Sequence, residues 1–356
     1  MSELTMSAMA LTGHGGPEKL EWRTDLPRPV PKNGEVLIRT LASAVNNTDI
    51  NTRIGWYSKS VTGDTAEAAQ SGAADTDDAG WSGNALSFPL IQGADCCGRI
   101  VGVGPGVDEG RIGERVLVRA LQTRQTDAGP VTWTFGSECN GGFAEYAVAR
   151  SFDALAVVAD WDAGELASLP CAYSTAEGML QRAGVGAEDV LITGASGGVG
   201  SAAIQLAKLR GATVTAVAGA KKADEVRGIG ADHVLDREAD FGADRFDVVV
   251  DLVAGPRWPN MIDALRRGGR YVVSGAIAGP IVEMDVRTLY LRDLTYFGST
   301  LQPDNILPDV IRYVEKGLIR PLIAAPYALA DLHAAQEAFL AKGYVGKIVL
   351  KVGDDL

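Results

Sequence analysis

The segment from Gly194 to Gly200 carries residue types well suited to binding a phosphate group. Its residues are Gly194, Ala195, Ser196, Gly197, Gly198, Val199 and Gly200. The segment lies between an apolar run at 190–192 and an apolar-periodic stretch at 202–207, the order expected of a buried strand, a tight turn and a helix. Glycines let a backbone approach a pyrophosphate closely, and the first helical turn offers free N–H groups. These residues therefore predict a dinucleotide-binding turn.

Residues about 20 positions further on bear on the choice of dinucleotide. A second apolar strand at 214–218 is followed by Gly219, where an Asp or Glu would accept hydrogen bonds from the ribose of NAD. Gly219 leaves room for a 2′-phosphate, and Lys221 and Lys222 can supply positive charge. The sequence thus favours NADPH as cofactor. The alternative is that the two lysines only solvate the start of a helix.

Length and charge set the broad class of the protein. A chain of 356 residues predicts two domains. The net charge of -12 argues against a nucleic-acid partner, because such binding needs Lys and Arg to neutralise phosphates. No apolar segment approaches the roughly 20 residues of a membrane span, and no secretory signal precedes residue 10. We expect a soluble, cytoplasmic protein without a membrane partner, whose four cysteines are reduced.

The strand and helix patterns predict two kinds of architecture in one chain. Short apolar runs separated by Gly, Pro and Asn indicate a β-rich, barrel-like domain in the first 150 residues. From about Leu166 onward, predicted strands alternate with helices, which is typical of a doubly wound parallel sheet. Helices at 306–315 and 332–341 and a strand at 346–352 are expected to rejoin the first domain. The predicted limits are 1–165 with 300–356 for the barrel domain and 166–299 for the Rossmann domain.

Residues 58–88 differ in composition from their surroundings. They are rich in Ala, Ser, Gly and Asp, and Lys59 is their only basic residue. We interpret them as a long exposed insertion, most simply a flexible surface loop. Because they directly follow Tyr57, a lid over a binding site is the alternative.

A series of motifs distributed over nearly the whole chain resembles the medium-chain dehydrogenase/reductases, and within them the zinc-free branch of quinone oxidoreductases and enoyl reductases. The matching segments are 45–57, 93–107, 113–116, 141–146, 195–200, 268–272 and 346–350. The resemblance implies a Rossmann domain beside a GroES-like barrel domain. It also implies a small-molecule substrate and a homodimer or homotetramer joined through the Rossmann sheets.

The zinc positions of this family are altered in the chain. Zinc-dependent members have a Cys where this chain has Asn46, and a Gly-His-Glu where it has Gly93-Ala94-Asp95. An amide and a methyl group cannot replace a thiolate and an imidazole on zinc. Asp95 and Cys96 remain as isolated possible ligands, but we predict no metal. Without a Lewis acid to stabilise an alkoxide, reduction of an already activated acceptor is favoured over alcohol oxidation.

The resemblance also implies roles for individual residues around the cofactor. Asn46 is placed beside the nicotinamide, although a simple Asn turn is the alternative. Thr175 is placed against the nicotinamide, and a helix cap would use the same residue type. Gly275 and Ala276 are placed near the nicotinamide ribose, where a plain strand-end turn is the competing interpretation.

Tyr57 is the predicted catalytic acid, together with Asn46 as the second catalytic residue. It matches a tyrosine that enoyl-thioester reductases use as a proposed proton donor, and a phenol can protonate or polarise an activated alkene acceptor. Alternatively, Tyr57 only lines the cleft. The predicted function is NADPH-dependent hydride transfer to a quinone or an α,β-unsaturated carbonyl. Two alternatives are zinc-free alcohol or carbonyl chemistry and a nucleotide-binding structural or redox-sensing protein.

Overall fold

The computed structural model describes residues 4–71, 77–127 and 129–354. The first elements are β1 (Thr5–Leu11), β2 (Leu20–Pro27), β3 (Glu35–Ala44), α1 (Asn47–Ile54), α2 (Thr65–Ser71), β4 (Leu90–Ile91), β5 (Cys97–Val103), β6 (Arg115–Val118), β7 (Leu121–Thr126), β8 (Gly129–Thr134), β9 (Tyr146–Arg150), β10 (Ala154–Ala156) and α3 (Ala163–Ala167). The next are α4 (Ala172–Arg182), β11 (Asp189–Ile192), α5 (Gly198–Leu209), β12 (Thr213–Val217), α6 (Ala223–Gly228), β13 (His233–Leu235), β14 (Phe246–Asp251), α7 (Trp258–Asp263), β15 (Leu265–Val273), α8 (Val286–Leu291) and β16 (Thr295–Gly298). The last are α9 (Ile306–Glu315), β17 (Ile323–Ala328), α10 (Leu332–Ala341) and β18 (Lys347–Lys351).

The first sheet system is built mostly from antiparallel strands. Its main sheet has the order β10-β6-β5-β3-β18-β17, with β9 also paired to β3, and a smaller sheet has the order β2-β1-β4. The long strand β3 lies between neighbours on both sides, so nearly all its residues are buried. The predicted β-rich, barrel-like domain is confirmed. The two strands near the C-terminus, β17 and β18, belong to this sheet.

The second sheet is wholly parallel, with the order β13-β12-β11-β14-β15-β16. Its two central strands are apolar throughout their middle, and residues 190–192 and 248–250 are fully buried, as expected of strands covered on both faces. The order reverses between β11 and β14. In open α/β sheets, ligands bind outside the carboxyl ends of the strands at such a reversal. The predicted doubly wound fold is confirmed.

One apolar core joins the two sheets behind the cleft. It contains Leu117 of β6 and Leu166 of α3 together with Val190 of β11 and Leu206 of α5. Because these side chains exclude water together, the barrel side and the Rossmann side pack against each other rather than acting as separate modules. Among the residues the structure describes, no helix is long and apolar enough to cross a membrane.

The insertion at 58–88 departs from the predicted exposed loop. Residues 65–71 form α2, and the side chain of Ala68 packs against Ile50 and Ile54 of α1. Ala is a strong helix former, whereas the Ser, Gly and Asp residues around this helix favour loops, and these residues led to the loop interpretation. The backbone N–H of Thr65 donates to the carbonyl of Ile277, at 3.3 Å, across the cleft. Residues 72–76 of the insertion lie outside the described residues.

Candidate active site

The glycine-rich loop lies at the carboxyl end of β11, where the strand order reverses. Gly194 has a positive φ of 59°, and Gly197 is the N-cap of α5. A Cβ on Gly200 would lie 2.3 Å from the carbonyl oxygen of Gly194, so a side chain is excluded by the backbone itself. The glycines of the loop thus add no side chain of their own over the N-terminus of α5, the arrangement that suits a pyrophosphate. These residues fit the dinucleotide that the sequence predicts.

A segment from the barrel side lies against this loop. We call Lys342–Lys347 the C-terminal bridge. The backbone N–H of Gly346 donates to the carbonyl of Ser196 at 3.0 Å. At Gly198, a Cβ would lie 2.5 Å from Cδ of Lys347. The cofactor loop is therefore in direct contact with a chain segment that the sequence did not associate with it.

Three polar side chains, Asn46, Asp95 and Lys347, form what we call the closed cluster. The Lys347 ammonium donates to Oδ2 of Asp95 at 2.9 Å, to the carbonyl of Val45 at 3.2 Å, and to Oδ1 of Asn46. Nδ2 of Asn46 donates to Oδ2 of Asp95 at 2.7 Å and to the carbonyl of Ala44 at 3.1 Å. All three side chains are buried. Strand pairing creates the cluster, because β18 lies antiparallel to the end of β3.

Asn46 is the N-cap residue of α1 and forms a capping box with Asp49. The carboxylate of Asp49 accepts from the backbone N–H of Asn46 at 2.7 Å and from that of Ala94 at 3.2 Å. Burial, reinforced by the neighbouring Asp95, raises the pKa of Asp49 to about 7. Asn46 is therefore more than part of a simple Asn turn, because its side-chain amide is hydrogen-bonded to two charged groups, Asp95 and Lys347.

Cys171 completes the surroundings of the closed cluster. Its backbone N–H donates to Oδ1 of Asp95 at 2.7 Å. Burial and the adjacent Asp95 raise the pKa of its thiol well above the ordinary value, so the thiol stays protonated. Among the described residues, no three His, Cys, Asp or Glu side chains are grouped to hold a metal ion. The side chains of the closed cluster are an amide, one carboxylate and an ammonium, and because an ammonium has no lone pair to offer a metal, this set does not fit zinc.

Tyr57 lies on the turn that follows α1 and is partly buried. Its hydroxyl donates to Oγ1 of Thr48 at 2.9 Å, and its ring makes an edge contact with Trp56 at 5.9 Å between centroids. Burial raises the pKa of the phenol above its ordinary value. The group is therefore protonated at neutral pH and able to donate a hydrogen bond. The indole N–H of Trp56 donates to the carbonyl of Gly63 at 3.2 Å, which ties this turn to the insertion.

The other residues predicted to lie near the nicotinamide are Thr175, Gly275 and Ala276. Thr175 is the fourth residue of α4, whose N-cap is Cys171, so the alternative that Thr175 caps a helix is wrong. Gly275 and Ala276 follow the end of β15, and Ala276 lines an apolar cavity of about 400 Å³ with Trp258 and Tyr296.

Three basic residues near the loop form what we call the cation cluster: Lys222, Lys342 and Arg237. The Lys222 ammonium donates to the carbonyl of Lys342 at 2.5 Å and lies 3.5 Å from Oγ of Ser196. Burial and then the nearby Lys222 lower the pKa of Lys342 to about 8. The guanidinium of Arg237 lies about 4 Å from where a Cβ of Gly219 would be. By contrast, Lys221 is exposed.

Sequence reasoning therefore found the loop and Lys222, but not the residues that come from far along the chain. Lys347 was noticed only as part of a family motif, Asp95 only as an isolated ligand, and Lys342 not at all. A Lys at the start of an apolar strand is a usable signal for a buried polar partner, because Lys is almost never fully buried without one. The identity of that partner is not visible in a sequence.

The fold and the site define a class: a two-domain oxidoreductase with a nicotinamide dinucleotide cofactor held at the cleft. Residues 32–159 match the model of the alcohol dehydrogenase GroES-like domain, and residues 198–316 match that of the zinc-binding dehydrogenases.

Individual relatives agree with both matches. The quinone oxidoreductase of Lama guanicoe is 28% identical over 97% of each chain. A solved Sinorhizobium meliloti 1021 structure, provisionally described as an alcohol dehydrogenase, is 42% identical, with a TM-score of 0.88 over 98% of this chain and 97% of that one. A thermostable alcohol dehydrogenase from Pyrobaculum aerophilum is 31% identical, with a TM-score of 0.82 over 98% of this chain and all of the other.

The chain belongs to the medium-chain dehydrogenase/reductase superfamily. This confirms the family resemblance and the pairing of a GroES-like domain with a Rossmann domain. It also makes the protein an oxidoreductase that acts on a small molecule with a nicotinamide cofactor.

Proposed function

We propose that the protein is a zinc-free, NADPH-dependent reductase of an activated acceptor, either a quinone or an α,β-unsaturated carbonyl compound. When bound, the cofactor supplies a hydride to the acceptor. The observation that carries this proposal is the closed cluster, in which Asn46, at the position where the resemblance places a zinc-binding Cys, is hydrogen-bonded to the ammonium of Lys347 and the carboxylate of Asp95. Without a Lewis acid, an acceptor that is already electrophilic is the substrate this site suits best.

The cation cluster supports NADPH over NADH. Lys222 lies against the loop at Ser196, and its hydrogen-bond acceptors are a carbonyl and a hydroxyl rather than a carboxylate. Such cations gain most from an added phosphate, whose charge they would neutralise. Asp236 also lies in this corner, but its carboxylate accepts from the backbone N–H of Ala220 at 3.1 Å. A preference for NADH would instead assign the ribose contact to Asp236.

The experiment that tests this function is the oxidation of NADPH and NADH followed by absorbance. The acceptors are a benzoquinone, a naphthoquinone, an enone, an enoyl thioester and an aldehyde. We expect turnover with NADPH and the quinones or alkenes. Turnover only with the aldehyde would favour carbonyl reduction, as the similarity to alcohol dehydrogenases allows. Tight NADPH binding without any turnover would favour a binding or redox-sensing role.

The same assay tests whether Tyr57 acts as an acid. In Tyr57→Phe, enone reduction should fall about 10- to 100-fold, because a carbon acceptor needs a positioned proton donor. Quinone reduction should change by less than about threefold, because water can protonate the reduced oxygens. Tyr313→Phe, a partly buried position in α9, is the control. Equal losses for both acceptors would leave Tyr57 as a packing residue of the cleft.

We also propose a homodimer joined through β16. This strand is at the edge of the parallel sheet, and exposed apolar side chains precede it, among them Ile281, Tyr290 and Leu291. An open edge beside an apolar patch is stabilised by pairing with a second copy. Light scattering of the purified protein, with Leu291→Glu as the disrupting variant, tests this assembly.

A further inference from the structure

The closed cluster uses every hydrogen-bonding proton of the Lys347 ammonium. An ammonium has three donors, and they are taken by the Asp95 carboxylate, the Asn46 amide and the Val45 carbonyl. The side chains of Lys347 and Asp95 are 4% and 0% exposed. With no free donor, Lys347 is arranged as an internal cation with fixed ligands rather than as a group that reaches for substrate.

Lys347 also connects the two sides of the cleft. Its ammonium binds residues at the end of β3 and in the loop before β5, while its stem lies in the space next to Gly198. The adjacent Gly346 donates to Ser196 in the same loop. Any movement of Lys347 would therefore be transmitted both to the Asn46 amide and to the loop that would hold the pyrophosphate.

The amide of Asn46 has its orientation set by charge. Its oxygen faces the Lys347 ammonium and its nitrogen faces the Asp95 carboxylate. A flipped amide would place an N–H against a cation and an oxygen against an anion. The ion pair thus selects one of the two orientations, and this selection depends on both charges being present.

We propose that Lys347 is a positioning residue: an internal cation that orients Asn46 and holds the glycine-rich loop in its cofactor-binding shape. This inference rests on the proposed function for its effect on turnover, but its effect on cofactor binding stands without it. Lys347 is not assigned a proton transfer.

The test compares three variants of the full chain. Lys347→Met removes the cation and leaves Asp95 buried without it. The double variant Asp95→Asn with Lys347→Met removes both charges, which relieves the buried anion. Lys351→Met, an exposed position on the same strand, is the matched control. Thermal midpoints, NADPH affinity from the fluorescence of the reduced nicotinamide, and kcat and KM are measured for each.

We expect the double variant to recover most of the thermal stability that Lys347→Met loses. It should still bind NADPH about tenfold or more weakly and turn over more slowly, since a misplaced site costs activity even in a stable fold. Wild-type affinity and kcat in the double variant would overturn the proposal, because the ion pair would then serve stability alone.

Chemical rescue provides the second arm. In Lys347→Ala, added ethylammonium should restore NADPH affinity in a saturable way, while the same concentration of tetramethylammonium, which cannot donate hydrogen bonds, should not. Equal effects of both cations, or of neither, would contradict the assignment. If the wild type turns over no acceptor, the proposed function fails, but the loss and rescue of NADPH affinity still decide the role of Lys347.

Discussion

The closed cluster and the cation cluster both touch the glycine-rich loop, but they treat charge in opposite ways. In the closed cluster, the ammonium of Lys347 is paired with Asp95 and shielded from water. In the cation cluster, burial lowers the pKa of both Lys222 and Lys342; the nearby Arg237 lowers that of Lys222 further, and the nearby Lys222 lowers that of Lys342. Paired charges fix a geometry, whereas unbalanced like charges favour the arrival of an anion.

The glycine-rich loop is therefore contacted by two groups of charged side chains with different roles. The contact at Gly198 comes from Lys347, whose charge is already neutralised by Asp95, so this contact helps to fix the shape of the loop. The contact at Ser196 comes from Lys222, whose charge is available to a ligand. We therefore expect changes to the loop to affect every dinucleotide and changes to the cation cluster to affect only a phosphorylated one.

The largest effect should come from breaking the loop that both clusters contact. In Gly200→Ala, the new Cβ would lie 2.3 Å from the carbonyl oxygen of Gly194. The backbone of the loop would have to shift to make room, at a cost of about 1–3 kcal/mol. NADPH and NADH affinity should both fall by about 100-fold, measured by fluorescence titration.

Gly228→Ala is the matched control for the loop variant, because a Cβ there meets nothing within 4 Å. It should bind both dinucleotides as the wild type does. If Gly200→Ala also bound both dinucleotides normally, the loop would not be the pyrophosphate site. The two clusters could then no longer be compared by their effects on cofactor binding.

A smaller and selective effect is expected at the cation cluster. Lys222→Ala should weaken NADPH binding by about 10- to 100-fold, the size of a lost charge-assisted hydrogen bond, and leave NADH binding within about twofold. Lys221→Ala is the control of identical chemistry at an exposed position. Equal losses in the two variants would mean that the lysines act only through general surface charge.

The smallest effect is a pH dependence of NADPH affinity. Lys342 has a pKa lowered to about 8, and a bound 2′-phosphate would favour its protonated form. Below pH 8 the cation is already present. As the pH rises through 8, the free protein loses this proton, so the dissociation constant of NADPH should increase by up to about tenfold near pH 9.

Two comparisons check the origin of this pH dependence. NADH has no 2′-phosphate, so its dissociation constant should stay flat over pH 7 to 9. Lys342→Met should bind NADPH more weakly at pH 7 and show no further loss at pH 9. A slope that persists in Lys342→Met would assign the titration to another group, and the cation cluster would then consist of Lys222 and Arg237.

Sequence reasoning was most accurate where the signal is local. The strand, glycine turn and helix around Gly194–Gly200 are contiguous, so their pattern alone predicts both the structure and its ligand. The helices at 306–315 and 332–341 were likewise predicted at their observed limits. The errors also have local causes: α2 was missed because Ser, Gly and Asp residues, which favour loops, are mixed with its alanines, and Thr175 was considered as a cap because its residue type fits that position.

What the sequence by itself determined is the pairing of the two folds and the glycine turn between strand and helix, together with an Asn at position 46 and an Ala at position 94 in place of the Cys and His of zinc-dependent members. Only the tertiary structure decided what stands in their place. Lys347 is 301 residues from Asn46 along the chain, and the two meet because β18 pairs with the end of β3 in one register. Pairing of distant strands is selected by the packing of the whole sheet, so no local pattern could show which buried carboxylate this lysine would neutralise.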